Sequence, residues 1–163
     1  MGFEIISFAS GLIQKQAVDE VIKCNEYTEQ FGLVLTPAQA FELVETRSLA
    51  LMENGRIEFG GGVIDKIIKE FCNSPYIAMH NYTQTIHELL EIFYYYKNDT
   101  LDQLSDNDLI KYMKTAFDGI CKGSLDLLSG RELNRLARNL HFGYSCDYNE
   151  DDEFEDKENE DEP

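Results

Sequence analysis

Tyr82-Thr83-Gln84-Thr85-Ile86-His87-Glu88-Leu89-Leu90-Glu91-Ile92-Phe93-Tyr94-Tyr95-Tyr96 is the stretch on which the fold turns. Tyr82, Ile86, Leu89, Phe93 and Tyr96 recur at alternating spacings of four and three, the period of one helix face. Leu90, Ile92 and Tyr94-Tyr95 widen that face, so the helix is expected at the centre of the molecule, apolar on most sides. It is entered near Asn81, with Gln84 as the capping partner. Successive helical residues stand about 100° apart, so at least one of the three tyrosines faces outward or into a cleft.

The same period continues outward in both directions. Ile13, Ala17, Val21, Cys24, Thr28 and Phe31 predict a first helix ended by Gly32. Thr36-Pro37 with Gln39 reads as a capping box carrying proline at the first helical position, followed by an inner stripe of Phe41, Val44, Ser48 and Leu51 and a stop at Asn54-Gly55. After Gly60-Gly61-Gly62 a helix carries Val63, Ile64, Ile67, Ile68 and Phe71 inward and is stopped by Ser74-Pro75. Ser105 to Asp108 caps a helix bearing Leu109, Ile110, Met113, Ala116 and Phe117. Ser129 with Glu132 reads as the capping box of the last helix, whose Leu133, Leu136, Ala137 and Leu140 turn inward. Arg56-Ile57-Glu58-Phe59 alternates as a short strand would, but no partner strand exists for it. The expected fold is all-α, a compact bundle of five to seven helices with one short irregular glycine-rich turn over residues 1–143, plus a disordered acidic tail over 144–163.

Composition agrees with that division. Of 163 residues 43% are hydrophobic, enough for one core, which excludes a wholly disordered chain. No run approaches the roughly 18 uncharged apolar residues of a membrane span, and Glu4 replaces a basic leader, so neither a span nor a signal peptide is expected. The opening Met1-Gly2 is not read as an acylation site, because Ile6 stands where Ser or Thr is needed. The net charge of −17 is concentrated: Asp147 to Pro163 holds eleven carboxylates against Lys157 alone. Such a segment buries too little to order itself and repels phosphate, so neither nucleic acid nor membrane is expected as a partner. Asp147, Asn149, Asp151 and Glu158 fall at calcium-loop positions 1, 3, 5 and 12, but Asp152 occupies the glycine position and no apolar helix follows, so no metal is expected there.

Arginine is scarce, and its placement singles out three features. Arg47 lies between Leu43 and Ala50 on one helical stripe, which carries it toward the core and requires a carboxylate such as Glu58, Glu88 or Glu91. Arg56 and Glu58 lead into Gly60-Gly61-Gly62 before a helix, where free backbone amides could hold an anion; Val63-Ile64 stand where a Walker loop needs Lys and Ser or Thr. Arg131, Arg135 and Arg138 share one face of the last helix, opposite its leucines, and read as a self-paired face or as a docking surface for an acidic partner.

The remaining reactive residues form no catalytic constellation. His80, His87 and His141 lack the i, i+4 partner of a zinc helix, although Glu91 lies four beyond His87. Cys24, Cys72, Cys121 and Cys146 contain no Cys-x-x-Cys pair and read as free thiols of a reducing cytoplasm. No cofactor is expected, and the reading leans away from an enzyme.

Glu45-Thr46-Arg47, Gly55-Arg56-Ile57-Glu58-Phe59-Gly60-Gly61-Gly62, Ser74-Pro75-Tyr76 and Gly130-Arg131-Glu132-Leu133 resemble a small bacterial family of unknown function, over roughly Gln16 to Leu140. The resemblance implies a bacterial cytoplasmic helical domain and brings no catalytic residues. The leading expectation is a non-enzymatic protein-interaction module with an unidentified partner. A site for a small anionic ligand or substrate around Arg47, Arg56, Glu58, Gly60, Gly61 and Gly62 is the alternative, and nucleic-acid mimicry by the tail is a third.

Overall fold

The computed structural model describes residues 2–58 and 60–141, with side chains from residue 11 onward. Within them the chain is all-α and contains no strand. Six longer helices form the body: α1 (Gly2–Lys23), α3 (Pro37–Asn54), α4 (Gly62–Phe71), α5 (Tyr82–Asp99), α6 (Asp106–Asp118) and α8 (Leu133–His141), while α2 (Asn25–Thr28) and α7 (Leu125–Leu127) are single turns. The acidic tail and its calcium-loop register at Asp147, Asn149, Asp151 and Glu158, like Cys146, lie outside the described residues.

Helix α5 is the hub, packed against α3, α4, α6 and α8, because it is apolar on most of its circumference. Ile86, Leu89, Leu90, Phe93 and Tyr94 are sealed in the single core that every long helix joins. Burying an aromatic such as Phe93 or Phe117 stabilises the fold by about 1.5–3 kcal/mol relative to leaving it exposed. Of the three consecutive tyrosines, Tyr94 and Tyr96 are buried and Tyr95 is 62% exposed.

Two helix starts, those of α3 and α6, follow the expected chemistry. Thr36 Oγ1 accepts from the Gln39 amide at 3.1 Å while Gln39 Oε1 accepts from the Thr36 amide at 3.0 Å, a closed capping box. Ser105 Oγ accepts from the Asp108 amide at 3.1 Å. Two starts differ. Asn81 turns its side chain back to the Ala78 amide at 2.8 Å, ordering a 3-10 turn over Met79–Asn81, and Gln84 pairs with Glu88 instead of capping. The last helix is prepared by Ser124, which accepts from the Leu127 amide at 3.2 Å; Ser129 and Glu132 lie inside a π turn over Leu128–Glu132, and Glu132 is only 1% exposed. A π turn leaves a carbonyl out of register, and the Tyr96 hydroxyl supplies the donor, lying against the Ser129 carbonyl and 2.6 Å from Asn134 Oδ1.

Other registers shift as well. The first helix runs from Gly2, breaks at Cys24, and gives way to α2 and a 3-10 turn ending at Phe31, which is exposed, as is Ile13. On α3 the inner stripe is Ala40, Leu43, Val44, Arg47 and Leu51, while Phe41 and Ser48 face outward. The capping box fixes where α3 begins, but the neighbours α1 and α5 on its two sides decide which stripe is covered. Arg56, Ile57 and Glu58 form an irregular connection and no strand.

Candidate functional site

Helix α3 is a ridge with a groove on each flank. Toward α1, a cavity of about 480 Å³ is lined by Ile13, Gln14, Ala17, Val44, Arg47 and Ser48, with Glu45 and Glu58 also contributing. Toward α5, one of about 490 Å³ is lined by Thr46, Leu49, Glu53, His87, Glu91 and Tyr95 among others. Both volumes fall within the ordinary range of ligand sites, roughly 300–1,000 Å³. Leu49 borders both grooves.

The residues expected to form an anion site divide between two places. Arg47, Glu58 and the glycine turn converge. Arg47 is 3% exposed, and its Nη1 stands 3.8 Å from Glu58 Oε1. That distance is a Coulombic contact and no hydrogen bond, and the Glu58 oxygens accept from other groups: Oε1 from the Val63 amide at 3.1 Å, and Oε2 from the Tyr94 hydroxyl at 2.5 Å. Burial, reinforced by the Glu58 bond and charge, holds the Tyr94 phenol far above its usual range, so it stays a donor. Arg56 goes elsewhere: it reaches Asn98 in the last turn of α5 at 3.5 Å and Asp102 just beyond that helix at 2.8 Å.

The glycine turn is an anion nest that the chain fills itself. Gly60 and Gly62 have φ of +63° and +49°, and the turn presents its amides at the start of α4. Glu20 accepts from the Gly61 amide at 2.5 Å and Glu58 from Val63, so the positive end of α4 is occupied by two internal carboxylates. A Cβ on Gly62 would lie 2.4 Å from Glu58 Oε1 and 2.9 Å from Arg47 Nη1. Nearby, Cys24 Sγ donates to Asp65 Oδ1 at 3.4 Å; burial, then the Asp65 charge, pushes this thiol up to about 12, and burial raises Asp65 itself.

The three arginines expected on one face of the last helix divide, Arg131 lying in the π turn and Arg135 and Arg138 on α8. Arg131 Nε lies 3.4 Å and Arg135 Nη2 3.5 Å from the carboxylate of the buried Glu132, while Arg138 is exposed. Two further polar centres carried no sequence signal. Lys97, buried near the end of α5, donates to the Leu104 carbonyl at 2.5 Å and pairs with Asp106 at 2.9 Å, tying down a loop in which Leu101 and Asp102 take φ of +55° and +59°. Thr46 donates to the Glu42 carbonyl at 3.0 Å and lies 2.6 Å from His87 Nδ1. The imidazole tautomer of His87 sets which of the two groups donates in that contact. The pair straps α3 to α5.

Cys24, Cys72 and Cys121 are buried and unpaired, and burial raises all three thiols, Cys121 to about 11. Iodoacetamide at pH 8 should therefore leave these three unmodified in the native protein and label them in denaturant, as read by peptide mass spectrometry. Labelling of any of them before unfolding would contradict the burial described. Among the described residues no group of three or more His, Cys, Asp or Glu is placed to hold a metal ion, and no helix is long and apolar enough to cross a membrane.

Neither the curated proteins nor the solved structures contain a match to this chain. One family model matches residues 20–146, beginning at the glutamate that caps the glycine turn and running through the π turn and α8. The chain therefore belongs to DUF6323, a family of unknown function.

Proposed function

We propose that this protein is a non-enzymatic interaction module of the bacterial cytoplasm, and that its α3–α5 groove receives a basic, partly apolar segment of a protein partner. The observation that carries the reading is the chemistry of that groove. Leu49, 60% exposed, and Tyr95 supply apolar and aromatic surface, Glu53 and Glu91 supply negative charge, and among the described residues no Lys or Arg lines it. Met52, 75% exposed three residues beyond Leu49, adds to the apolar surface of α3. Aromatic anchors beside unpaired carboxylates suit a segment bearing Lys or Arg next to a large apolar side chain, through burial, cation–π contact and electrostatic steering. The overall charge of −17 favours such a partner and disfavours nucleic acid. The buried thiols fit a reducing compartment, and the bacterial setting rests on the family resemblance.

Arg131 of the π turn and Arg135 of α8 support this reading less, since both lie against Glu132. The test is fluorescence anisotropy of the full chain with a labelled amphipathic Lys/Leu helical peptide and its Glu/Leu counterpart. Only the Lys/Leu peptide should bind, more weakly as salt rises, and Glu53→Lys combined with Glu91→Lys should weaken it by about tenfold or more. Unchanged affinity in that double variant would refute the proposed groove, and preference for the Glu/Leu peptide would refute the charge argument.

A further inference from the structure

The groove on the other flank of α3 has a different character. Arg47 is buried to 3% exposure, yet among the described residues its Nε and Nη1 have no hydrogen-bond acceptor, Glu58 Oε1 standing 3.8 Å from Nη1. A guanidinium withdrawn from water and left with unused donors is costly unless something supplies oxygen. Arg47 lines the α1–α3 cavity of about 480 Å³, which is bordered on its apolar side by Ile13, Ala17, Val44 and Leu51.

From this arrangement we infer that the α1–α3 groove is a binding site for a monocarboxylate with an apolar body, its carboxylate received by Arg47 and its hydrocarbon laid along Ile13, Ala17, Val44 and Leu51. A carboxylate matches guanidinium donors, and its charge makes those bonds about twice as strong as a neutral carbonyl would. A phosphate dianion fits poorly, since one guanidinium shares this cavity with Glu45 and Glu58. The apolar lining explains why acetate alone would gain little. Glu58 has a positioning role here: by engaging Val63 and Tyr94 it balances the charge of Arg47 without consuming its donors. The site is independent of the α3–α5 docking surface, so either can fail without the other.

The experiment is a ligand-observed NMR titration of the full chain with octanoate, with octanamide, acetate and inorganic phosphate as comparison probes. Octanoate should bind saturably and about tenfold more tightly than octanamide, with acetate and phosphate weaker than both. Arg47→Gln should remove the preference for acid over amide, and Arg47→Lys should restore part of it. Should Arg47→Gln fail to fold, Ser48→Phe decides, because Ser48 is an exposed lining residue whose hydroxyl bonds only the Val44 carbonyl. This variant should lose octanoate and octanamide together while keeping the native melting temperature. Equal affinity for octanoate and octanamide in the unmodified chain would overturn the proposal. So would octanoate affinity in Arg47→Gln or Ser48→Phe within about twofold of the original.

Discussion

Glu58→Ala should lower the free energy of unfolding by about 3 kcal/mol, toward the low end of the range for breaking a buried ion pair, measured by urea titration with circular dichroism. Three losses combine. Arg47 keeps its burial and loses its nearest counter-charge, Tyr94 loses the acceptor for a sealed hydroxyl, and the first turn of α4 loses an acceptor for the Val63 amide. The partial exposure of Glu58, whose side chain is 21% accessible, keeps the effect from the top of the range. Glu58→Gln retains an acceptor oxygen but not the charge, and should fall between the two. If Glu58→Ala leaves stability within about 0.5 kcal/mol of the original, the size of an ordinary surface change, then the carboxylate does not hold the α3, α4 and α5 junction together.

Gly62→Ala should cost about 2–4 kcal/mol, combining left-handed backbone strain with displacement of a packed charge. The φ of +49° disfavours any side chain, and the new Cβ would fall 2.4 Å from Glu58 Oε1. The contact makes a sharper prediction than either variant alone. With Glu58 already truncated, the worst clash disappears, so Gly62→Ala in the Glu58→Ala background should cost less by about 1 kcal/mol or more, a coupling expected of touching residues. Strict additivity would show that the penalty is backbone strain only, with the carboxylate elsewhere.

The helical class was readable because its signals are local. The Thr36–Gln39 capping box, the Ser105 cap and the 3–4 spacing of Ile64, Ile67, Ile68 and Phe71 are matters of a few residues each, and the structure contains all of them. Register was harder. Phe41 has the right spacing for the inner stripe of α3, yet it is exposed and Leu43 is sealed, because the covered stripe depends on where α1 and α5 lie. The π turn is hidden in the sequence because Ser129 and Glu132 mimic a capping box, and only the buried Glu132 with Tyr96 against the Ser129 carbonyl tells the two apart.

The same split holds for the candidate site. The meeting of Arg47 and Glu58 followed from the helical stripe and the need to neutralise a buried guanidinium. Its incompleteness did not, because the commitments of Glu58 to Val63 and Tyr94 are made by tertiary placement. Arg56 stands beside Glu58 in sequence, whereas Asp102, 46 residues on, claims it in space. The aromatic, acidic groove between α3 and α5 joins Glu53 to Glu91 across two helices, a pairing that no spacing along the chain encodes.

Chemical-shift mapping of the uniformly nitrogen-15-labelled full chain with the Lys/Leu peptide locates the docking surface residue by residue. The largest shifts should belong to Leu49, Glu53, Glu91 and Tyr95, saturating together at one affinity, with residues of α8 unmoved. Shifts confined to the eleven-carboxylate segment from Asp147 onward, or spread evenly over the surface, would contradict a groove built to receive a partner.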